Sequence, residues 1–276
     1  MTEPLGVIAG WGHAAAGAVI GKGRGVRPSV IASVGRSAAP FKWASVTKVL
    51  TAMALWIAWE EGTVSWDEPA GPPGATLSDL LSHASGLAPD DDRILAAPRT
   101  RRIYSNRGIE VASGHLAARA GMPFGEYLSV GLLEPLGMTG VRLIGSPAYG
   151  ATGSLEDLIK LGVELLAPSL ISPEGQERCV RVSVPGLAGV LPGFGRQASN
   201  DWGLGVEVRD HKSPHWTGRT NSPSTFGHFG QSGSFLWVDP QQGLALATLS
   251  ARSFGPWAAE AWPRLSDAVI AEYGIS

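Results

Sequence analysis

The stretch from Val49 to Trp59 constrains the fold most strongly, because a helix built from it is apolar on nearly every side. Met53, Trp56 and Trp59 follow Val49 at close to the helical period, and almost every residue between them is apolar as well. A helix of this kind must be enclosed by other elements. The stretch is well short of the roughly 20 residues that a membrane span needs. It therefore predicts a buried helix in a globular core, with its end at Glu60–Gly62.

Strand patterns lie on both sides of this helical region. Residues 5–35 are rich in Val, Ile, Ala and Gly, and Gly21–Gly25 predicts a hairpin turn within them. After Pro185 strand patterns return, and Asp239–Gly243 predicts the turn of a second hairpin. The later strands are predicted at 203–208, 234–238 and 244–249. Helices are predicted at 77–83, at 106–120, after Pro123, from Ser154 with Asp157 completing a capping box, and at 256–273.

This order of strands, helices, strands and a final helix predicts a mixed α/β (α+β) protein. The simplest packing is an antiparallel β-sheet flanked by helices, with an inserted all-helical subdomain. We expect residues 1–276 to form a single domain. Residues 1–40 and 185–276 would supply the sheet and the C-terminal helix, and residues 41–184 the helical subdomain. The cleft between the two subdomains is the expected place for a functional site.

Composition excludes several classes of function. The chain has 22 basic and 24 acidic residues, a formal net charge of −2, so a nucleic acid or an anionic membrane is not an expected partner. Its one cysteine, Cys179, supports neither an intrachain disulfide nor a metal site and is expected to be a buried thiol. Asp90–Asp92 predicts a polar loop, and no metal or cofactor is expected. The N-terminus shows no signal-peptide pattern, which predicts a cytoplasmic protein; the oligomeric state stays open.

Ser45 and Lys48 are the first candidates for chemistry. At positions i and i+3 of a helix their side chains share a face, with Cβ atoms about 5–6 Å apart. At the start of a helix, Ser45 would lie near free N–H groups that favour a developing anion. A serine hydroxyl needs a base, and a lysine serves as one only when its pKa is lowered by burial or by a neighbouring cation. Alone, the spacing favours a helix cap followed by an extended lysine over a catalytic pair.

Two later segments add polar groups. In Tyr104-Ser105-Asn106 the first and third side chains point the same way in extended backbone, so the phenol and the amide would reach a site together. In His228-Phe229-Gly230-Gln231, Gly230 would let another backbone approach the strand. Taken singly, these segments fit a buried loop with a helix cap and a histidine at a strand edge.

In this order the three motifs resemble those of the serine β-lactamase and penicillin-binding-protein superfamily. The match is to the branch of class C β-lactamases, esterases and D-aminopeptidases, whose second motif is Tyr-x-Asn. Leu80–Leu87, Glu134–Met138 and Gly153–Leu158 are also similar to family segments. The resemblance covers about residues 40–250 and implies a β-lactamase/transpeptidase-like fold.

The resemblance implies a role for each motif residue. Ser45 would be the acylated nucleophile, and Lys48 and Tyr104 would move its proton. Which of these two is the acylation base stays open. Asn106 would position the acyl-side carbonyl of the substrate, and His228 takes the place of the lysine of the Lys-Thr-Gly motif. Gly230 belongs to the third motif, and the N–H groups of Ser45 and Gln231 would form the oxyanion hole.

The sequence departs from the family pattern in ways that narrow the function. The chain is short, and we expect it to lack the usual N-terminal helix. Phe229 stands where Thr or Ser is usual, and Ala251 where Asn is common. These departures favour a serine hydrolase of small esters or amides, an esterase or peptidase, over an efficient β-lactamase. An acyltransferase with the same acyl-enzyme and a non-turnover penicillin-binding sensor remain alternatives.

Three arginines directly precede Tyr104. Arg99, Arg101 and Arg102 predict a solvated basic turn, with a site for a substrate carboxylate as the alternative.

Overall fold

The fold is built around an antiparallel sheet. A computed structural model describes residues 3–12, 14–21, 27–36 and 38–275. Within them the strands are β1 (Ala15–Gly21), β2 (Ser29–Val34), β3 (Phe41–Lys42), β4 (Arg142–Leu143), β5 (Ala151–Gly153), β6 (Gly189–Leu191), β7 (Gly195–Gln197), β8 (Glu207–Val208), β9 (Phe226–Phe229), β10 (Phe235–Asp239) and β11 (Leu244–Ser250). Six of them form one sheet in the order β2-β1-β11-β10-β9-β8, and each neighbouring pair with a described register is antiparallel. The predicted antiparallel sheet is confirmed.

The helices of the described residues are α1 (Thr47–Glu60), α2 (Leu77–Leu81), α3 (Asn106–Ala120), α4 (Phe124–Leu128), α5 (Leu155–Leu166), α6 (Pro173–Val180) and α7 (Pro256–Tyr273). Short 3₁₀ helices cover Pro4–Trp11 and Ala44–Val46, and a π-helical turn covers Ser129–Leu133. The predicted limits of α3 and α7 are confirmed. Ser154 and Asp157 form the predicted capping box at the start of α5.

The large sheet is covered on both faces. Alternate residues of β11 belong to two different cores: Ala245 and Ala247 pack with α5, whereas Leu244 and Leu246 pack with α7. Glycine in α5 allows close packing on the sheet, because a Cβ on Gly162 would lie 2.6 Å from a methyl group of Ile20. The helix α5 and the small sheet β3-β5-β4 both lie within the range predicted as the helical subdomain.

The helix α1 lies in the same core as α5, on the face of the large sheet that carries Ala245 and Ala247. Every residue from Thr47 to Ala58 is buried, as its apolar pattern predicts. Trp56 donates its indole N–H to the carbonyl of Leu204, 2.8 Å away. Such complete enclosure fixes the start of α1, and with it Ser45, against the sheet.

Two predictions about strands and the N-terminus are wrong. Residues 4–11 form a 3₁₀ helix before the first strand, where no helix was expected. Leu5, Ile8 and Trp11 recur every third residue, which is the period of a 3₁₀ helix, and all three are buried in the core with α7. The predicted strand 203–208 is reduced to Glu207–Val208, because Gly205 has a φ of +85° and lies against α1.

Three remaining expectations concern the first hairpin turn, the cysteine and membrane-spanning helices. The predicted turn at Gly21–Gly25 falls largely outside the described residues. Cys179 is buried, as expected. Among the described residues, none of the helices combines the length and the apolar character that crossing a bilayer requires.

Candidate active site

Ser45 lies in the 3₁₀ turn that leads into α1. The residue before it, Ala44, has a φ of +46°, a left-handed conformation that is rare outside glycine. Backbone strain of this kind typically costs about 1–3 kcal/mol and persists where the surroundings hold it in place. Gly230, directly after β9, supplies such surroundings, because it packs against the Cβ of Ala44 and the backbone nitrogen of Ser45. The strained turn sets the direction of the Ser45 side chain.

Lys48 is fully buried beneath Ser45. Its Nζ lies 2.6 Å from Asn106 Oδ1, 2.9 Å from the carbonyl oxygen of Ala148 and 3.3 Å from Ser45 Oγ. Burial lowers the pKa of Lys48 from 10.5 to about 7, although the negative charges of Asp90 and Glu110 act in the opposite direction. Near neutral pH, therefore, a large share of the molecules carries a neutral amine at this position.

The three partners of Lys48 determine where its lone pair points. The amide oxygen of Asn106 and the carbonyl oxygen of Ala148 accept hydrogen bonds and have no proton to give. A neutral amine keeps two N–H groups for these two oxygens. Its lone pair is then left for Ser45 Oγ, the one neighbour that carries a hydrogen. The geometry suits Lys48 to take the proton of Ser45.

Tyr104 lies on the other side of the Ser45 hydroxyl. Its phenol oxygen is 2.9 Å from Ser45 Oγ, and Lys48 Nζ is 4.7 Å from the centre of its ring. Burial raises the pKa of Tyr104 well above its ordinary value, although the hydrogen bond with Ser45 opposes this. The phenol therefore stays protonated near neutral pH, which suits it to donate a proton rather than to remove one.

The backbone beside Tyr104 is held from two directions. Ser105 caps α3, with its Oγ accepting from the N–H of Gly108 at 2.9 Å and donating to the carbonyl of Ala88 at 2.7 Å. His83 accepts the N–H of Ser105 on Nδ1 at 3.2 Å, and its ring packs on Tyr104 with 4.8 Å between centroids. The helix-end segment that contains His83 thus positions the second motif.

Asn106 is the first residue of α3 and is oriented by Asp90, which the sequence predicted only as part of a polar loop. Its amide nitrogen donates to Asp90 Oδ1 at 2.8 Å, which turns its amide oxygen toward Lys48. The other two aspartates of the loop bind elsewhere: Asp91 pairs with Arg93 and Asp92 with Arg107. The three carboxylates do not converge, and no cluster of metal-ligating side chains occurs among the described residues.

His228 lines the same pocket but is uncharged. Its Nδ1 lies 2.6 Å from the carbonyl oxygen of Phe229, so Nδ1 carries the hydrogen. Its buried Nε2 has no hydrogen-bond partner among the described residues. Burial, reinforced by the nearby Lys48, lowers the pKa of His228 to about 3. The residue in the position of the family lysine is therefore a neutral acceptor and not a cation.

Gly230, the residue after β9, lies against the backbone of Trp43 and Ser45. A Cβ at this position would lie 2.4 Å from the carbonyl oxygen of Trp43 and 3.1 Å from the nitrogen of Ser45. No side chain fits there, and Gln231 follows directly. Gln231 and Ser45 line one pocket.

The pocket in front of Ser45 has a volume of about 120 Å³. Its lining residues beyond the predicted ones are Leu191, Pro192, Trp202, Glu207 and Phe229. Phe229 is held in an aromatic cluster, with ring centroids 5.0 Å from Phe254 and 5.7 Å from Trp262. The sequence did not predict the roles of Asp90, Ala148 and Glu207. The position of Glu207 in an otherwise apolar predicted strand was a signal that it has a buried partner. No local sequence feature indicates that the carbonyl of Ala148 binds Lys48.

Glu207 forms a buried charge network beside the pocket. One carboxylate oxygen lies 2.8 Å from Lys212 Nζ and 2.8 Å from His215 Nε2, and the other accepts from the indole N–H of Trp216. Burial alone would raise the pKa of Glu207, but Lys212 and His215 hold it below its usual range. The carboxylate is charged and fully engaged by the protein.

The model of the family described as Beta-lactamase matches residues 7–270. The chain belongs to the beta-lactamase family. Among solved structures of beta-lactamase relatives, a beta-lactamase (Mb2281c) from Mycobacterium bovis is 51% identical, with a TM-score of 0.95 over 99% of this chain and 100% of that one. No curated protein matches the sequence significantly. The expected resemblance and the β-lactamase/transpeptidase-like fold are confirmed.

More distant relatives share the fold of this beta-lactamase family member. The octameric penicillin-binding protein homologue from Pyrococcus abyssi is 19% identical, with a TM-score of 0.69 over 94% of this chain and 73% of that one. EstCE1, a hydrolase with promiscuous acyltransferase activity, is 17% identical, with a TM-score of 0.75 over 96% of this chain and 97% of that one. Membership of the beta-lactamase family supports a serine hydrolase in general terms.

Proposed function

We propose that the protein is a serine hydrolase that forms an acyl-enzyme at Ser45 and cleaves small esters or amides. One observation carries the proposal: the Ser45 hydroxyl lies between a buried amine, 3.3 Å away, and a protonated phenol, 2.9 Å away. A nucleophile with a base on one side and an acid on the other is what acyl transfer requires.

Acylation follows from these positions. Neutral Lys48 takes the proton of Ser45 as Oγ attacks the substrate carbonyl carbon, and the carbonyl oxygen becomes an oxyanion. The N–H groups of Ser45 and Gln231 stabilise that oxyanion. Tyr104 then donates its proton to the leaving alcohol or amine, the bond to the leaving group breaks, and Lys48 returns a proton to Tyr104.

Deacylation reverses the roles with water as the nucleophile. Water enters where the leaving group was, loses a proton to the Lys48 and Tyr104 pair, and attacks the ester carbonyl. Ser45 leaves as the alcohol when it regains a proton from the same pair. Acid and base exchange roles between the two half-reactions, so one set of residues serves both.

Esters and simple amides fit the pocket better than β-lactams. His228 is neutral, so it does not supply the cation that the family lysine offers to an anionic substrate. Phe229 supplies no hydroxyl, and its ring is held in the aromatic cluster. We expect weak or no turnover of nitrocefin, and rapid hydrolysis would show that β-lactams belong to the substrate class.

Acyl transfer is the second candidate. EstCE1, which shares the fold, is named for promiscuous acyltransferase activity beside hydrolysis. Both outcomes use the same acyl-enzyme, and they differ in whether water or an alcohol takes the acyl group. Product analysis with and without an added short alcohol separates them: a new ester among the products supports transfer, and free acid alone supports hydrolysis.

Hydrolysis of p-nitrophenyl acetate tests the proposal. We expect turnover by the wild type, none above background by Ser45→Ala, and retained turnover by Ser113→Ala. Ser113 is a suitable control because its hydroxyl binds within α3, to the carbonyl of Glu110. Circular dichroism checks that both variants are folded. Turnover by Ser45→Ala equal to that of the wild type would refute the mechanism, and a single acylation without turnover would favour the penicillin-binding sensor.

A further inference from the structure

A second, larger cavity opens beside the catalytic pocket. Its volume is about 630 Å³, against about 120 Å³ for the pocket at Ser45. The two share Tyr104 and Pro192 as lining residues, so they lie side by side at these residues. One wall is formed by residues from 89–103, and the other by 188–196, which includes the hairpin β6–β7. We call this cavity the groove.

The walls of the groove are largely apolar. Pro89, Leu95, Ile103, Val190 and Pro192 line it. Leu95 is 43% exposed and Val190 is 59% exposed, which leaves a hydrophobic surface uncovered next to the catalytic residues. The volume lies within the usual range of about 300–1,000 Å³ for small-molecule sites. The groove therefore has the size and the character to take an apolar part of a substrate.

The charged side chains that line the groove are all arginines. Arg102 is buried and bound to backbone carbonyls, including those of Ser82 and Asn200, so it is structural. Arg101 is exposed, and its guanidinium donates a hydrogen bond to the carbonyl of Leu95 at 3.0 Å. Arg196 is exposed as well. Neither Arg101 nor Arg196 belongs to an ion pair among the described residues.

The two available guanidinium groups come from opposite walls. Arg101 belongs to the loop before Tyr104, whereas Arg196 lies in β7 directly opposite Val190 in β6. Opposite residues of an antiparallel pair point to the same side of the hairpin, so Val190 and Arg196 face the groove together. Two cations beside an apolar surface complement a ligand that is apolar and anionic, and no carboxylate is among the described residues that line the cavity.

The position of Tyr104 indicates which half of the substrate enters the groove. The proposed acid must lie next to the leaving oxygen or nitrogen, and Tyr104 lines both the pocket and the groove. The pocket of about 120 Å³ is left for the acyl group. Because a water molecule occupies about 30 Å³ of liquid, that pocket suits a short acyl group.

We propose that the groove binds the leaving-group half of the substrate, an apolar alcohol or amine that ends in a carboxylate or a similar anion, while the pocket takes a short acyl group. This inference rests on the proposed hydrolase function and adds the class of substrate. The sequence suggested Arg99, Arg101 and Arg102 as alternatives for carboxylate binding. Of these, Arg99 pairs with Asp79 at 2.8 Å and Arg102 is structural, which leaves Arg101.

Three matched esters test the inference. The first, 8-acetoxyoctanoate, has a short acyl group and an anionic leaving group. The second, 8-acetoxyoctyl-trimethylammonium, is its cationic counterpart. The third, monoethyl octanedioate, carries the anionic chain on the acyl side. At low ionic strength we expect kcat/KM for the first to exceed that for the cationic ester by about tenfold, the size expected from two exposed charge pairs. It should also exceed kcat/KM for monoethyl octanedioate, whose long acyl chain would have to enter the small pocket. Added salt should reduce the preference for the anion.

Charge-reversal variants assign the preference to the two arginines. Replacing both Arg101→Glu and Arg196→Glu should abolish or invert the ratio of anionic to cationic substrate, mainly through KM. Both side chains are exposed, so folding is not at risk. Arg264→Glu, a change at an exposed position on α7, should leave the ratio as in the wild type.

Each result has a definite meaning. Equal kcat/KM for anionic and cationic acetates, or an anion preference that survives the double variant, would overturn the inference. A preference for monoethyl octanedioate would overturn the assignment of the groove to the leaving group. These failures differ from failure of the hydrolase function, in which wild-type enzyme would not hydrolyse p-nitrophenyl acetate by way of Ser45.

Discussion

Lowering the pH should stop acylation by protonating Lys48. Burial lowers the pKa of this residue from 10.5 to about 7, a difference of about 3.5 units, or about 5 kcal/mol at 1.36 kcal/mol per unit. At pH 7 about half of the molecules then carry the neutral amine, against about one in 3,000 for an ordinary lysine. At pH 5 the neutral fraction is about 1%, so the acylation rate should fall about 50-fold between pH 7 and pH 5.

Stopped-flow release of p-nitrophenol, with enzyme in excess over p-nitrophenyl acetate, measures this acylation rate directly. The midpoint of the acidic limb belongs to the coupled Lys48 and Tyr104 pair. Asp90 sharpens the test, because its charge raises the pKa of Lys48. Asp90→Asn keeps an oxygen for Asn106 and removes the charge, so the limb should move to lower pH, by a few tenths of a unit for an exposed carboxylate.

Asp92→Asn is the matched control for this experiment. Asp92 lies in the same loop and pairs with Arg107, 2.6 Å away, so its neutralisation should leave the limb in place. An acylation rate that is flat between pH 5 and pH 9 would refute Lys48 as the base. A limb that Asp90→Asn moved to higher pH would refute the electrostatic reasoning.

Three further changes test the site and its surroundings. Gly230→Ala should reduce kcat about 10²–10³-fold by displacing an oxyanion donor, whereas Gly114→Ala, where a Cβ has open space, should retain activity and gain up to about 1 kcal/mol of stability. Urea denaturation should show that Glu207→Gln lowers the free energy of unfolding by about 3–5 kcal/mol, because Lys212 would keep a buried charge without its partner. The control Glu177→Gln, on the surface, should change the free energy of unfolding by no more than about 0.5 kcal/mol. In the folded protein Lys48 loses its proton near pH 7, whereas in the unfolded chain Lys48 stays protonated up to about pH 10.5. The unfolded state therefore binds more protons between pH 7 and pH 10.5, so the free energy of unfolding of the wild type should rise with pH over this range. Relative to Lys48→Met, the rise from pH 7 to pH 9 should be about 2 kcal/mol, and equal slopes for the two proteins would contradict the burial of this amine.

Short sequence signals predicted much of the fold. Ser154 and Asp157 mark the start of α5, and Gly121, with a φ of +68°, ends α3, because caps and left-handed glycines act within a few residues. The apolar circumference of α1 likewise predicted its burial. The helix at Pro4–Trp11 was missed because a period of three residues over so short a stretch resembles a strand as closely as a helix.

The candidate active site likewise has features that the sequence predicted and features that it could not predict. Ser45 and Lys48 share one helical turn, so their spacing indicated that they meet, and the contacts of Tyr104 and Asn106 with them agree with the predicted grouping. The carbonyl of Ala148 reaches Lys48 across 100 residues, and a backbone oxygen leaves no trace in the sequence. The neutral state of His228 depends on burial by the whole fold, which spacing alone does not reveal.

The acyl-enzyme is the central claim, and mass spectrometry of quenched reactions tests it most directly. Wild-type protein is mixed with p-nitrophenyl acetate, quenched in acid within milliseconds to seconds, and weighed intact and after digestion. The mechanism predicts one added acetyl group per molecule, located on the peptide that contains Ser45, and no such group in Ser45→Ala. Substrate turnover with no adduct on that peptide, or the same adduct in Ser45→Ala, would contradict it.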